Sequence, residues 1–228
     1  PFGLRRSCLG IIRIILENNI RVSMKSLAND SYGFYKKQGV KLILSEEETK
    51  KSYIEFVYDR LKVFMRDKGL SQSSIQAVYN ASNFSDILDD FNKVEALDKF
   101  INDDGKEFLN TLKRVRRILS IEEKKIGMPI GDQVSESLLD MEEEKALYTH
   151  HLKISKQVRD LLKNEKYEKA MEVFSGIAIS LEKFFESVKV NIEDKDIKNN
   201  RLMLLSLIRN TFINFADFSL IDVENEVK

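Results

Sequence analysis

The chain has 228 residues, of which 43% are hydrophobic and 32% are charged, and this balance excludes an intrinsically disordered protein and predicts a folded globular one. Lysine plus arginine and aspartate plus glutamate both number 37, so the net charge indicates no nucleic-acid partner and only a local cluster of charge could do so. The single cysteine, Cys8, excludes an internal disulfide framework and a cysteine-rich zinc site, and it favours a reducing, cytoplasmic compartment.

The first half of the chain predicts helices with clear ends. The first helix runs from Phe2 to about Asn18, and its apolar stripe has helical spacing: Leu4, Cys8, Ile11, Ile12 and Ile15. Because Cys8 belongs to this stripe, we interpret it as a core residue and not as a nucleophile. The segment Ser23–Lys37 is expected to be a weaker helix or an irregular connector. Ser45 followed by three glutamates is typical of a helix start, and that helix is predicted to stop at Gly69.

The middle of the chain predicts three further helices and a linker. Short helices are expected over Ser71–Ala81 and Ser85–Phe100. Asp103 and Asp104 precede the third helix, whose predicted core face is Phe108, Leu109, Leu112, Val115 and Leu119. The stretch Ile121–Ser137 carries Gly127, Pro129 and Gly131, and we interpret it as the linker of the chain.

The last part of the chain predicts a helical hairpin and one final helix. The hairpin would consist of Leu138–Asn164 and Lys166–Val188, and the final helix would begin at about Lys195. Apolar residues surround most of the circumference of that helix over Leu202–Ile221, which is typical of a helix buried among others. No apolar–polar alternation of strand length stands out, so the predicted fold class is all-α.

Two arginines interrupt this apolar stretch. Arg201 and Arg209 must reach solvent or find carboxylate partners, because an unpaired buried charge is costly. We favour structural ion pairs for them. Asp217 is a candidate for a buried partner or for a helix-end cap.

Signatures of catalysis are missing from the sequence. There is no glycine-rich phosphate loop, and His150 and His151 are adjacent, so they point in different directions on a helix. The acidic run Glu142–Glu144 could assist a metal, but a solvated acidic face is the favoured interpretation. We therefore predict no catalytic residue and no metal site in this chain.

One helix carries a cluster of positive charge. Its members lie on an arc opposite the apolar residues of the same helix: Lys113, Arg114, Arg116 and Arg117. Guanidinium groups in such a position suit phosphate oxygens and the edges of RNA bases. The alternative is that these side chains pair with nearby acids, as on any surface helix. A second, weaker cluster is formed by Arg5, Arg6 and Arg13.

The start of the chain and its hydropathy bear on what kind of polypeptide it is. Its apolar stretches are interrupted by charge well short of the roughly 20 residues that span a bilayer, and no signal peptide is recognisable, so we expect no membrane segment. The first residue is Pro1 and not Met, and we therefore expect the chain to be a part of a longer protein.

Five segments, in order along the chain, resemble the β subunit of the bacterial heterotetrameric glycyl-tRNA synthetase. They are Pro1–Glu17, Phe56–Val78, Leu112–Leu119, Phe184–Asp194 and Asn199–Ile221. The first is similar to the family's Pro-Phe-Ala-Leu-Arg-Arg segment, with Gly3 in place of Ala. The third, LKRVRRIL, resembles the Lys-Arg-Val/Ala-x-Asn-Ile motif that opens the DALR-type anticodon-binding domain. Here Arg117 stands where Asn is common, so a role of that Asn is not carried over.

The resemblance implies a fold and a division of labour. It implies a helical body at residues 1–102, following an HD-like region, and a DALR-type helical bundle that binds the anticodon at residues 103–228. The whole enzyme would be an α2β2 ligase of the cytoplasm that joins glycine to its tRNA with ATP and Mg²⁺. Catalysis would belong to the α subunit, and this part of β would hold no cofactor and contact no membrane.

The resemblance also implies that this part of the chain contacts glycine tRNA. The expected contacts are the residues of the two basic clusters: Lys113, Arg114, Arg116 and Arg117, then Arg5, Arg6 and Arg13. Two alternatives stay open. One is a non-catalytic helical module that joins subunits, and the other is a tetratricopeptide-type scaffold that binds peptides.

Overall fold

The computed structural model describes residues 2–103 and 105–221, and these fold into helices and connecting turns without a β-strand among them. The all-α fold class predicted from the sequence is confirmed. In the described ranges, none of the helices is both long enough and apolar enough to cross a membrane. Pro1 of the first motif and Asp104 of a predicted helix start lie outside the described residues.

The chain divides into two compact units, residues 1–95 and 96–228. The helices that begin in the first unit are α1 (Phe2–Glu17), α2 (Met24–Lys37), α3 (Glu46–Asp67), α4 (Gln72–Ala81) and α5 (Ile87–Asn102), which continues into the second unit. Those of the second unit are α6 (Gly105–Ile126), α7 (Glu142–Lys163), α8 (Tyr167–Ser175), α9 (Ile177–Ser187) and α10 (Lys195–Asn210). The predicted domain boundary after residue 102 stays a prediction.

In the first unit, α3 packs against α1, α2 and α4. Both predicted ends of α3 are confirmed. The Ser45 hydroxyl accepts a hydrogen bond from the Glu48 backbone amide at 3.3 Å, and the Glu48 carboxylate accepts one from the Ser45 amide at 3.0 Å. At the other end Gly69 adopts a φ of +89°, a conformation that favours glycine.

The predicted core face of α1 is partly wrong. Cys8 is buried as expected, but Leu4 and Ile11 are exposed. The face that α1 buries is therefore narrower than the apolar stripe of its sequence, because α3 is its main packing partner in the part of the chain that the structure describes.

In the second unit, α7 packs against α8, α9 and α10, and α6 packs against α9 and α10. Aromatic rings from distant parts of the chain meet in its core. The ring centroid of Phe174 lies 5.2 Å from that of Phe108 and 4.4 Å from that of Phe212. Phe218 packs edge-on against Phe212 and Phe108, at 5.9 and 6.1 Å between centroids. These contacts join α6, α8 and the residues that follow α10.

Three helix boundaries in the second unit differ from the prediction. The linker does not begin at Ile121, because α6 continues to Ile126 and ends where Gly127 turns to a φ of +78°. The second arm of the predicted hairpin is two helices, α8 and α9, that meet at Gly176.

The third difference lies at the end of the final helix. It stops at Asn210 and does not run to Ile221. Turns follow, and a short 3-10 helix spans Phe218–Leu220. The chain leaves the helix there because the turns allow Phe212, Phe215 and Phe218 to bury their rings in one core.

Candidate nucleic-acid interface

The basic cluster of α6 lies on a helix with one buried face. Its predicted core residues are buried: Phe108, Leu109, Leu112, Val115 and Leu119. Arg114 and Arg117 are exposed, whereas Lys113 and Arg116 are half-buried. The cluster therefore does not present four equivalent cations to solvent, and its two exposed members are the ones best placed to meet a ligand.

Arg116 is turned toward the interior of the second unit. Its Nη1 donates a hydrogen bond to the Phe218 carbonyl oxygen at 3.1 Å. Burial lowers the pKa of this guanidinium, while the Asp217 carboxylate nearby acts in the opposite direction. In this position Arg116 holds the 3-10 turn against α6. The contact of Arg116 with tRNA stays a prediction.

The exposed arginines have different surroundings. The Arg114 guanidinium lies over the Phe185 ring, with its central carbon 4.2 Å from the ring centroid, a cation–π contact that fixes its position. Arg117 is exposed and forms no ion pair with any residue that the structure describes. Arg117 therefore keeps its donors for other partners, and Arg114 presents a guanidinium plane that is already oriented.

Arg114 also lies at the edge of a groove of about 410 Å³. The groove runs between α6, the end of α9, the loop that follows α9 and the first turns of α10. Its apolar lining consists of Ile118, Ile121, Phe185, Val188, Val190 and Leu202. Its polar lining consists of Arg114, Glu122, Lys125, Lys189, Asn191 and Lys198. Among the described residues of the lining, four cationic side chains thus face one carboxylate around an apolar floor.

The carboxylate of the groove, Glu122, pairs with two of these cations. The Lys125 ammonium lies 2.6 Å from Glu122 Oε1, and the Lys198 ammonium lies 2.8 Å from Oε2. The hydrogen bonds with Lys125 and then with Lys198 lower the pKa of the Glu122 carboxyl. One anion bridging two ammonium groups leaves the groove with an excess of positive charge.

The loop that forms one wall of the groove is held by buried contacts. The Val188 amide donates to the Phe184 carbonyl at 2.7 Å, which closes the end of α9. Arg201 Nη1 donates to the Lys189 carbonyl at 2.8 Å. The backbone of Lys189 is therefore held in place by Arg201, while the side chain of Lys189 is exposed.

Both arginines of α10 have the carboxylate partners predicted from the sequence. Arg201 pairs through Nε with Glu144, and both side chains are buried. Arg209 Nη1 lies 2.9 Å from Glu123 Oε1. Asp217 is not a buried partner, but it is a cap, because its carboxylate accepts from the Ser219 amide at 2.9 Å at the start of the 3-10 turn.

The acidic run at the start of α7 differs in part from the predicted solvated face. Glu142 is exposed, but Glu144 is completely buried and paired with Arg201. In the described part of the chain, no group of three His, Cys, Asp or Glu side chains could hold a metal ion. His150 and His151 point to different neighbours, as predicted: His150 Nδ1 lies 2.7 Å from Ser180 Oγ, and His151 Nε2 lies 2.8 Å from Thr211 Oγ1.

The second basic cluster belongs to the first unit. Arg5, Arg6 and Arg13 are all exposed on α1. They are accessible side chains on one helix, and their role stays a prediction.

Most residues that line the groove could not be predicted from the sequence. One signal was present: Arg114, Ile118, Ile121 and Lys125 follow one another at helical spacing and therefore share a stripe of α6. Lys189 and Lys198 carried no such signal, because they reach the groove through the packing of α9 and α10.

Comparison with known proteins agrees with this architecture. A family model described as the glycyl-tRNA synthetase beta subunit matches residues 1–80, and a model of the DALR anticodon binding domain matches residues 110–224. The chain is 34% identical to the glycine–tRNA ligase beta subunit of Rhodospirillum centenum over 225 residues, which are 97% of this chain and 30% of that protein. It is also 34% identical to the same subunit of Rickettsia africae over 220 residues, 96% of this chain and 30% of the relative.

The chain thus spans about 30% of the length of these relatives. The resemblance to the glycyl-tRNA synthetase β subunit that the sequence motifs indicated is confirmed. With more than half of its residues matched by one family model, the chain belongs to the DALR anticodon-binding domain family.

Proposed function

We propose that this chain binds glycine tRNA and forms a tRNA-recognition part of a glycine–tRNA ligase. The observation that carries the proposal is the exposure of Arg114 and Arg117 on a helix whose opposite face is buried in the core. Membership of an anticodon-binding family indicates the class of ligand, and the names of the relatives indicate the amino acid. Binding would rest on phosphate contacts, with base contacts adding selectivity.

The proposal extends to the whole enzyme that the relatives represent. In it, a β subunit containing this chain joins an α subunit in an α2β2 ligase of the cytoplasm. The ligase uses ATP and Mg²⁺ at sites outside these 228 residues to attach glycine to its tRNA. This chain contributes affinity and orientation of the tRNA and no catalytic group.

Within the chain, the structure supports an order among the proposed contacts. Arg114 and Arg117 are the principal contacts on α6, because their guanidinium groups reach solvent. Lys113 and Arg116 are half-buried and contribute less to binding. The exposed cluster of Arg5, Arg6 and Arg13 in the first unit supplies a separate set of phosphate contacts.

A binding titration tests the proposal. Fluorescence anisotropy with labelled glycine tRNA over a salt series gives both affinity and its salt dependence. We expect tight binding that weakens steeply with salt, and the double substitution Arg114→Ala and Arg117→Ala should weaken it and reduce the log–log salt slope by about 2. Arg159→Ala, which removes an exposed arginine from α7, is the matched control and should change the slope little.

Two results would count against the proposal. Unchanged tRNA binding by the double variant would overturn the assignment of Arg114 and Arg117. Absence of tRNA binding by the wild-type chain at low salt would overturn the function itself and would favour a helical module that joins subunits.

A further inference from the structure

We infer that the groove beside Arg114 is the site where one unpaired nucleotide of the tRNA is held, its base in the apolar floor and its phosphates on the lysines of the rim. This inference rests on the proposed function and adds to it a specific site and a class of ligand. The groove has a volume of about 410 Å³, which is in the range of about 300–1,000 Å³ typical of sites for small organic groups.

The floor of the groove suits a base. Ile118 and Ile121 provide accessible apolar surface above the buried Val188 and Leu202, and an unstacked base can pack on such a surface. At the edge, Arg114 is oriented on the Phe185 ring, and a guanidinium plane held in this way can stack on a base. Asn191 is exposed in the lining and offers an amide donor and an amide acceptor to the edge of a base.

The rim of the groove suits a phosphate backbone. Lys189 is exposed at one wall, while Lys125 and Lys198 are held by Glu122 at the other. Together with Arg114, four cations surround the floor, and among the residues that the structure describes a single carboxylate opposes them. This excess of positive charge is complementary to a phosphodiester, and its position beside an apolar floor and a stacked guanidinium favours a nucleotide of RNA as the occupant.

The groove is formed before a ligand arrives. Arg201 fixes the Lys189 carbonyl from inside the core, and the Val188 amide closes α9 onto Phe184. Because these two hydrogen bonds hold the backbone of the wall, little ordering of that backbone is required on binding.

Two matched substitutions on α6 test the inference. Ile121 lines the groove and is 47% exposed, whereas Ile126 is 51% exposed on the same helix but does not line it. Ile121→Glu and Ile126→Glu therefore make the same change of charge at similar exposure. Each variant of the 228-residue chain is titrated with two RNAs: an anticodon-arm hairpin of glycine tRNA, and a fully paired duplex with the same number of phosphates.

We expect Ile121→Glu to weaken hairpin binding about tenfold relative to Ile126→Glu, while the two variants bind the duplex alike. Lys189→Ala should weaken hairpin binding and reduce its salt slope by about 1, because one phosphate contact is lost. The wall of the groove should keep its position in this variant, since the hydrogen bond from Arg201 goes to the backbone of Lys189. Circular dichroism and thermal unfolding verify that each variant is folded.

Equal hairpin affinity for the Ile121→Glu and Ile126→Glu variants would overturn the inference. An equal loss for hairpin and duplex would overturn it too, since it would indicate a phosphate contact without a site for a base. In both cases the wild-type chain still binds RNA, so the proposed function survives. Failure of the wild-type chain to bind either RNA would overturn both.

Discussion

Arg201 donates a hydrogen bond through Nη1 to the carbonyl oxygen of Lys189 at 2.8 Å, so a buried arginine of α10 holds the backbone of a groove residue. The same side chain pairs through Nε with Glu144. Glu144 Oε2 in turn accepts from the backbone amides of Asp140 and Met141 at 2.7 and 2.9 Å. One buried ion pair therefore joins the start of α7, the helix α10 and the wall of the groove.

Removing the carboxylate of this pair should be strongly destabilising. Glu144→Ala leaves the Arg201 charge buried without its partner and frees two amides at the start of α7, and we expect the free energy of unfolding to fall by about 3–5 kcal/mol. Urea denaturation monitored by circular dichroism measures it. Glu142→Ala in the same turn removes an exposed carboxylate and should cost less than about 1 kcal/mol. Similar costs for the two substitutions would contradict this account of the pair.

We expect the stability of the chain to depend on pH through the buried His151. Burial, with smaller contributions from the charges of Arg159 and His150, lowers the pKa of His151 to about 4. An unfolded histidine titrates near 6.5, so between pH 6.5 and 4 the unfolded chain binds more protons than the folded one. The free energy of unfolding should therefore fall as the pH is lowered through this window, by about 2 kcal/mol between pH 7 and pH 5 from this residue.

The variant His151→Gln isolates that contribution. Glutamine can still contact Thr211, which lies 2.8 Å from His151 Nε2, but it does not titrate. We expect the loss of stability from pH 7 to pH 5 to be smaller in the variant than in the wild-type chain. Equal losses in both would show that His151 is not the titrating group.

A buried hydroxyl network in the first unit makes a third prediction. Tyr58 and Ser82 donate to the Asp90 carboxylate at 2.7 and 2.6 Å, and Asp90 is buried. Tyr58→Phe removes one of these donors from a buried carboxyl group, so the free energy of unfolding should fall by about 1–3 kcal/mol. Tyr53→Phe, on the same helix, removes a hydroxyl that has no hydrogen bond among the described residues and should change stability by less than about 0.5 kcal/mol. Denaturant titration measures the free energy of unfolding of both variants, and equal losses of stability would argue against the network.

Two glycines in helices should respond in opposite directions to alanine. A Cβ on Gly105 would lie 2.7 Å from the Phe100 carbonyl oxygen and 2.8 Å from its ring, so Gly105→Ala should lower the melting temperature through a cost of about 1–3 kcal/mol. Gly33 lies within α2 with open space around it, and Gly33→Ala should raise stability by up to about 1 kcal/mol. Thermal unfolding of the two variants gives the signs, and destabilisation by Gly33→Ala would contradict the open surroundings of that residue.

Helix ends were predictable where a local signal decides them. Ser45 and Gly69 mark the ends of α3 through a side-chain cap and a left-handed turn, and both depend on the residue itself. The end of α10 at Asn210 carries no such signal, because Phe212 and Phe215 continue the apolar pattern without a glycine or proline. Packing against Phe174 across the core decides that end, and a pattern along the chain does not contain this information.

The same distinction holds for the candidate site. The exposed position of Arg114 and Arg117 follows from helical spacing, since the core residues of α6 fix which side faces out. The inward turn of Arg116 does not follow, because its acceptor is a carbonyl oxygen of Phe218 far along the chain. The burial of Glu144 was likewise missed, because an acidic residue in a run of three reads as solvated unless its arginine partner is known.

The bridge from Glu122 to Lys125 and Lys198 has a consequence for entropy. A free lysine side chain loses up to about 2 kcal/mol of rotamer freedom when a ligand immobilises it. Here the carboxylate already restricts both ammonium groups, at 2.6 and 2.8 Å, while it removes one unit of positive charge from the groove. The two lysines therefore meet an incoming phosphate with part of their ordering complete, and this lower entropic cost offsets part of the attraction that the carboxylate removes from the groove.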